Sequence, residues 1–405
     1  MAERFDAVLI GGGQAGLATS CELTRAGVGH VVLERARIGQ TWRDLWESFC
    51  LVTPNWSVQL PGHPYDGDDP DGYMPRDDIV AYLERYASAT HTPIREGIDV
   101  AAIDPMEGGG FVVHTSEGEL RTDSVVVATG TYGSPLRPHA HTLPPDLLQL
   151  DVRGYRDPST LPDGAVLIVG SGQSGCQLAE ELRMSGREVT LACGRAPWNP
   201  RRIGGRDAIW WAAETGFLDA RFDELPDPEA RLWANVVTTG HGGGRDLHLR
   251  TLDAMGVSLQ GRFLGWDGGR FRFADDLTAS LAWGDERYAM FCGLIRKLED
   301  ERGWDPVDIP EPGPFLDRST DATDASGFGT VLFAGGFRPN YGSLVPIPEA
   351  FDDLGFPLHE EGQSTVVPGL FFVGVHFLRK RKSSIFLGVG EDAAIVAEQV
   401  AARGS

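Results

Sequence analysis

Two short glycine-rich runs carry the strongest chemical signal in the sequence. The first, Gly11-Gly12-Gly13-Gln14-Ala15-Gly16, follows the apolar run Phe5-Asp6-Ala7-Val8-Leu9-Ile10 and is followed in turn by a helical pattern and Val31-Val32-Leu33-Glu34. In such a strand–loop–helix–strand unit Gly11 permits the tight turn, Gly13 lets the backbone approach a pyrophosphate, and Gly16 lets the helix pack against the strand. The helix N-terminus adds N–H donors and partial positive charge. Glu34 ends the second strand, where a carboxylate accepts from ribose hydroxyls. The run recurs as Gly170-Ser171-Gly172-Gln173-Ser174-Gly175, but no acid follows. Arg195, Arg201 and Arg202 stand there instead. Arginine suits a ribose 2′-phosphate, which predicts NADPH rather than NADH at the second loop.

Each loop needs a strand before it and a helix after it, and both are present. Ala165–Val169 reads as a buried strand, Cys176–Met184 as the helix, and Glu188–Leu191 as the next strand. A further apolar run, Ser124-Val125-Val126-Val127, ends in Ala128-Thr129-Gly130, and a near copy ends in Ala334-Gly335-Gly336. Small residues at strand ends allow a cofactor or a linker to approach the backbone. The expectation is an α/β fold with two nucleotide-binding Rossmann-like domains. Residues 1–160 and 305–405 are assigned to the first domain and residues 161–304 to the second, inserted one.

A chain of 405 residues that is 41% apolar and 23% charged can bury a large core. Its net charge of −22, with no compensating basic stripe, excludes nucleic acid as a partner. No run reaches the roughly 18 apolar residues of a membrane span. The charged start, Met1 to Asp6, does not resemble a signal peptide. Five scattered cysteines (Cys21, Cys50, Cys176, Cys193, Cys292) suggest neither a disulfide framework nor a metal site, and no Cys-x-x-Cys relay occurs. A cytoplasmic protein is expected, with a homodimer left open.

Together these residues resemble the class B flavin-containing monooxygenases in the broad sense, including the plant YUCCA-type enzymes. The resemblance includes Leu33-Glu34-Arg35 followed by Gly39-Gln40-Thr41-Trp42-Arg43, then Leu51-Val52-Thr53-Pro54-Asn55 and Gln59–Tyr65. It also takes in Tyr82–Ala87, and near the end Arg379-Lys380-Arg381-Lys382-Ser383-Ser384 before Gly388-Val389-Gly390-Glu391-Asp392. It implies FAD on the first loop, with Arg35, Gln40, Thr41, Trp42, Thr53 and Val100 among its contacts, and NADPH on the second. The implied reaction runs through a flavin C4a-(hydro)peroxide and places one atom of O2 on a small organic substrate. Asn55 lies near the family's peroxide-stabilising group.

Two residues depart from the family pattern. Asp151 stands where the family carries histidine, and Gly335 where it usually carries threonine. An acid at 151 is expected to oppose NADPH, so an oxidase or dehydrogenase with a weakened NADPH half-reaction is the alternative. Seven of the ten tryptophans fall between Trp198 and Trp304; they predict a core or domain interface ahead of an aromatic substrate pocket. The loop Gly240–Gly244 around His241 reads as mobile surface. The basic run Arg379–Lys382 reads as a solvated face or a contact to an anionic cofactor.

Overall fold

The structure, a computed structural model, describes residues 3–404; Met1, Ala2 and Ser405 lie outside them. The chain opens with β1 (Glu3–Ile10), α1 (Gln14–Arg25) and β2 (His30–Glu34), and after an excursion returns as β3 (Gly118–Val127). It then crosses into β4 (Leu148–Asp151), β5 (Ala165–Val169), α2 (Gln173–Met184), β6 (Val189–Ala192) and β7 (Ser258–Gln260). The long helix α3 (Leu277–Arg302) and β8 (Phe328–Phe333) follow, and the chain re-enters the first half through β9 (Leu370–Phe372) and α4 (Val389–Arg403).

The two halves share one plan. In the first, the parallel core runs β9-β3-β1-β2 and then Ile94–Glu96; in the second it runs β4-β8-β5-β6-β7, parallel throughout. Each glycine loop leaves the middle strand of its sheet, where the chain order reverses. Ligands of open α/β sheets bind at that crevice. Residues of β2 and β6 are buried end to end, as strands covered on both faces must be, which is why their centres are apolar.

Sheet membership moves the expected boundaries. Strands β4 and β8 pair with each other, Leu148 opposite Thr330 and Asp151 opposite Phe333. The second sheet therefore begins before residue 161 and ends after residue 304. The glycine motif marks only the centre of a sheet; its outer strands come from segments without a signature of their own.

The tryptophan-rich insertion folds onto α3. Trp198, Ile203 and Trp211 pack with Tyr288, Phe291 and Ile295, and Trp210, Trp211 and Trp304 lie 4.9–6.4 Å apart. Trp198 and Trp211 are core, as expected, whereas Trp210 is half-buried and Trp304 exposed. Among the described residues no helix is long and apolar enough to cross a membrane.

Candidate functional site

The first glycine loop is shaped by backbone contacts that exclude side chains. Gly11 donates to the Leu33 carbonyl at 2.8 Å, and a Cβ on it would meet the Ala128 carbonyl oxygen at 2.6 Å. A Cβ on Gly16 would overlap the Gly11 carbonyl oxygen. At Gly13 the situation is opposite: nothing stands within 4 Å of the added atom, and the backbone is extended at φ −86°. That open space at the start of α1 could take a pyrophosphate.

Glu34 closes the end of β2 beside the loop. It is buried; one carboxylate oxygen accepts from Gly12 N–H at 2.7 Å and the other from Ala36 N–H at 3.0 Å. A carboxylate has about four acceptor sites, so capacity remains for ribose hydroxyls. Ile98 N–H reaches the Glu34 carbonyl at 3.0 Å and brings the Ile98–Val100 segment to this end. The Val100 side chain itself is in the core.

Three distant segments meet over the same loop. Trp42 donates to the Gln14 side-chain oxygen at 3.1 Å, and Gln14 donates to the Ser384 carbonyl at 3.2 Å. The Trp42 ring stacks on Phe386 at 5.5 Å. Gln40 is tied to Asp44, whereas Arg35 and Thr41 are exposed. Thr53 accepts from Ser57 at 2.8 Å. At the ends of the neighbouring strands, Ala128 is buried, Thr129 is exposed, and Gly130 lies between. Gly374 belongs to this set and was missed. Its φ is +73°, and a Cβ there would meet Ala15 at 2.5 Å. The signal was present: Leu370-Phe371-Phe372-Val373 is another apolar run ending in glycine.

The second loop copies this geometry. Gly170 donates to the Ala192 carbonyl at 3.0 Å, its added Cβ would meet the Ala334 carbonyl oxygen at 2.5 Å, and Gly175 abuts Gly170 as Gly16 abuts Gly11. The middle position differs. Over Gly172 stands the Ala234 methyl, 3.5 Å from an added Cβ, while the side chains of Gln173 and Gln177 donate to the Thr238 carbonyl. Ser174 remains half-buried at the helix start.

The three arginines separate. Arg195, just past β6, and Arg202 are exposed and carry no ion pair among the described residues. Arg201 is 2% exposed and fully engaged, which corrects its assignment to a 2′-phosphate. Its guanidinium binds Asp207 at 2.6 Å, the Tyr73 hydroxyl at 2.8 Å, the Val52 carbonyl at 2.8 Å and the Thr238 hydroxyl at 2.6 Å. The Tyr73 hydroxyl donates to Asp207 at 2.6 Å, and burial followed by this carboxylate pushes it up to about 12. This buried clasp joins the Val52–Tyr73 segment to the insertion. Gly240 and Gly244 complete it: a Cβ on either would strike Leu51 or Tyr73. The two ends of that loop are packed, while His241, Gly242 and Gly243 between them are exposed.

Two further expectations are corrected. Asn55 is buried with its side-chain oxygen accepting from Met74 N–H at 2.7 Å and its amide donating to the Asp69 carbonyl at 2.9 Å. It organises the loop that carries Tyr73. Asp151 is not an uncompensated charge: Arg137 pairs with it, and Arg153 N–H donates to its other oxygen at 3.0 Å. The thiols of Cys176 and Cys193 are buried and pushed up by that burial, unlike a reactive relay pair.

Two parallel sheets, each with a glycine loop at its switch point, define a two-dinucleotide-binding flavoprotein oxidoreductase. The comparisons agree. The family profile described as pyridine nucleotide-disulphide oxidoreductase matches residues 8–206. A CzcO-like oxidoreductase of Geobacillus kaustophilus is 30% identical over 391 residues, covering 96% of each chain. Indole-3-pyruvate monooxygenase YUCCA1 of Oryza sativa is 31% identical over 191 residues, 46% of this chain and 47% of its own. The structure of a flavin-containing monooxygenase from Stenotrophomonas maltophilia superposes with a TM-score of 0.70 at 20% identity over the whole of both chains. The chain belongs to the CzcO-like oxidoreductases of the class B flavin monooxygenase-like family. It is a flavin-dependent oxidoreductase that uses FAD and NADPH.

Proposed function

We propose that the chain is an NADPH-reduced, FAD-dependent monooxygenase that places one atom of O2 on a small organic substrate. The observation that carries this reading is the wall formed by Gln14, Trp42 and Ser384 over an open Gly13 cradle, with no paired cysteine to take electrons onward. Bound flavin supplies hydride acceptance and oxygen chemistry; the protein binds, orients and excludes water. Gly11, Gly13, Gln14, Ala15 and Gly16 seat the flavin dinucleotide, Glu34 takes its ribose, and Trp42 and Ala128–Gly130 flank it. Gly170–Gly175 and Arg195 receive NADPH. The clasp of Arg201, Asp207 and Tyr73 holds the two halves in register, so that a nicotinamide reaches the flavin.

The test is anaerobic reduction by NADPH followed by admission of 18O2, with product and hydrogen peroxide both measured. Label in a product supports the reading. Flavin that NADPH cannot reduce, or oxygen recovered only as peroxide across a panel of amines, sulfides and ketones, favours the oxidase or dehydrogenase alternative. Ala234 standing over Gly172 is the observation on that side.

A further inference from the structure

The second glycine loop lies beneath a short segment that is fixed at both ends and loose in the middle. On one side Arg231 is buried between the Phe222 and Phe356 rings, 4.1 and 4.0 Å from their centroids, and pairs with Asp352 at 2.9 Å. Leu232 packs against the core of the first half. On the other side Val237 is buried, with its N–H bonded to the Pro197 carbonyl at 2.8 Å. Thr238 follows, its carbonyl accepting from Gln173 and Gln177 and its hydroxyl from Arg201. Between these anchors Trp233 and Asn235 are exposed, and Ala234 and Val236 half-buried. Among the described residues, Ala234, Asn235 and Val236 make no hydrogen bond.

Two weak contacts hold the middle down. The Trp233 ring meets Trp283 of α3 edge-on, with centroids 5.4 Å apart. The Ala234 methyl stands 3.5 Å from where a Cβ on Gly172 would be. A stretch with few buried contacts and no backbone bonds opens at little cost. A dinucleotide needs the N–H donors at the start of α2 and the space in front of Gly172. The corresponding space in front of Gly13 is open, so the obstruction belongs to this segment and not to the loop. Pyrophosphate and segment compete for one volume.

We propose that residues 233–236 are a strap that closes the second loop in the free chain and that NADPH displaces, the strap turning about its anchors at Leu232 and Val237. Apparent affinity for the nucleotide is then its intrinsic affinity multiplied by the open fraction. The Trp233–Trp283 latch thereby sets how readily the flavin is reduced at a given NADPH concentration. This inference rests on the assignment of NADPH to the second loop and names the regulation of that site.

The test uses the FAD-loaded full chain carrying Ala234→Cys, labelled with a maleimide in the absence and presence of saturating NADP+. The adduct is located by peptide mass, because Cys50 and Cys292 are half-buried thiols of the chain itself. Asn235→Cys, at an exposed position, reports general protection. Labelling of Ala234→Cys should rise severalfold with NADP+, while labelling of Asn235→Cys stays level. Trp233→Ala removes the aromatic latch and should tighten NADP+ roughly two- to tenfold with unchanged flavin content. Slower labelling of Ala234→Cys with NADP+ overturns the proposal, since the nucleotide then lies on a closed strap. Unchanged or weakened NADP+ affinity in Trp233→Ala overturns it as well. Arg195→Ala tells two failures apart. If it weakens NADP+ while labelling slows, the strap alone falls; if it leaves NADP+ affinity unaltered, the second-loop assignment falls and the strap with it.

Discussion

Gly13→Ala separates the cofactor-binding role of the first loop from its folding role. The substitution adds one methyl group at a residue whose backbone, φ −86° and ψ −175°, alanine adopts without strain. No atom of the protein lies within 4 Å of the new Cβ. The fold should therefore change little: losing glycine at the first helix cap costs about 0.5–1 kcal/mol, and the stiffer unfolded chain offsets about 0.4–1 kcal/mol. A bound pyrophosphate occupies that same space. Displacing it from the loop N–H donors forfeits at least one charge-assisted bond of about 1.5–3 kcal/mol, or roughly tenfold to more than a hundredfold in FAD affinity. Gly16→Ala is the contrasting control, since its methyl would overlap the Gly11 carbonyl oxygen, and overpacking of that kind costs about 1–3 kcal/mol or more in the apoprotein itself. The assay is flavin content after purification, the FAD dissociation constant of the apoprotein, and apoprotein melting. Gly13→Ala should melt like the wild-type apoprotein and bind FAD poorly. Stoichiometric flavin with an unchanged dissociation constant would refute the assignment of the cradle. So would an apoprotein as unstable as Gly16→Ala.

Other substitutions divide the remaining roles. Arg195→Ala should raise the NADPH Michaelis constant roughly tenfold or more while leaving NADH nearly unaffected; equal use of both cofactors by the wild type would defeat the 2′-phosphate assignment. Arg201→Ala leaves the Asp207 carboxylate buried and unpaired, so it should cost about 3–5 kcal/mol in denaturant unfolding; unchanged stability together with a selective NADPH defect would return Arg201 to the cofactor. Glu181 has a buried oxygen without a partner, and burial raises its pKa to about 7. A raised acid contributes stability that is complete below its unfolded pKa near 4.5 and is lost as pH climbs through about 7. Glu181→Gln should therefore gain melting temperature relative to wild type between those two values, and a gap that stays flat there counts against the burial.

What the sequence disclosed was local. Glycine spacing, strand apolarity and the acid at 34 belong to single strand–loop–helix units, so the two halves and their loops were legible from neighbouring residues. The failures share one cause, a partner supplied from elsewhere. Arg195 and Arg201 look equivalent in sequence, yet Tyr73 and Asp207 bury one and leave the other free. A signal for this existed in Gly204-Gly205, a two-residue hairpin turn with both φ values positive, which folds Asp207 back opposite Arg202. Asp151 reads as a hostile charge until Arg137 is placed against it, and Asn55 reads as a free donor until the Asp69–Met74 loop consumes it.

The two loops also show what a glycine motif does and does not encode. Its outer glycines answer to the chain itself: Gly11 and Gly170 face the carbonyls of Ala128 and Ala334, while Gly16 and Gly175 face the carbonyls of Gly11 and Gly170. These contacts match across the halves because strand, loop and helix impose them. The middle glycine answers to whatever lies in front of the loop, which the motif does not specify. Before Gly13 there is open space, whereas before Gly172 there is a methyl from a residue about 60 positions onward. A pyrophosphate settling on the second loop must contend with that segment and with the two glutamine bonds to the Thr238 carbonyl. Thr238 in turn accepts from Arg201. Access to the second cradle is therefore coupled, through one short segment, to the clasp that fixes the halves together.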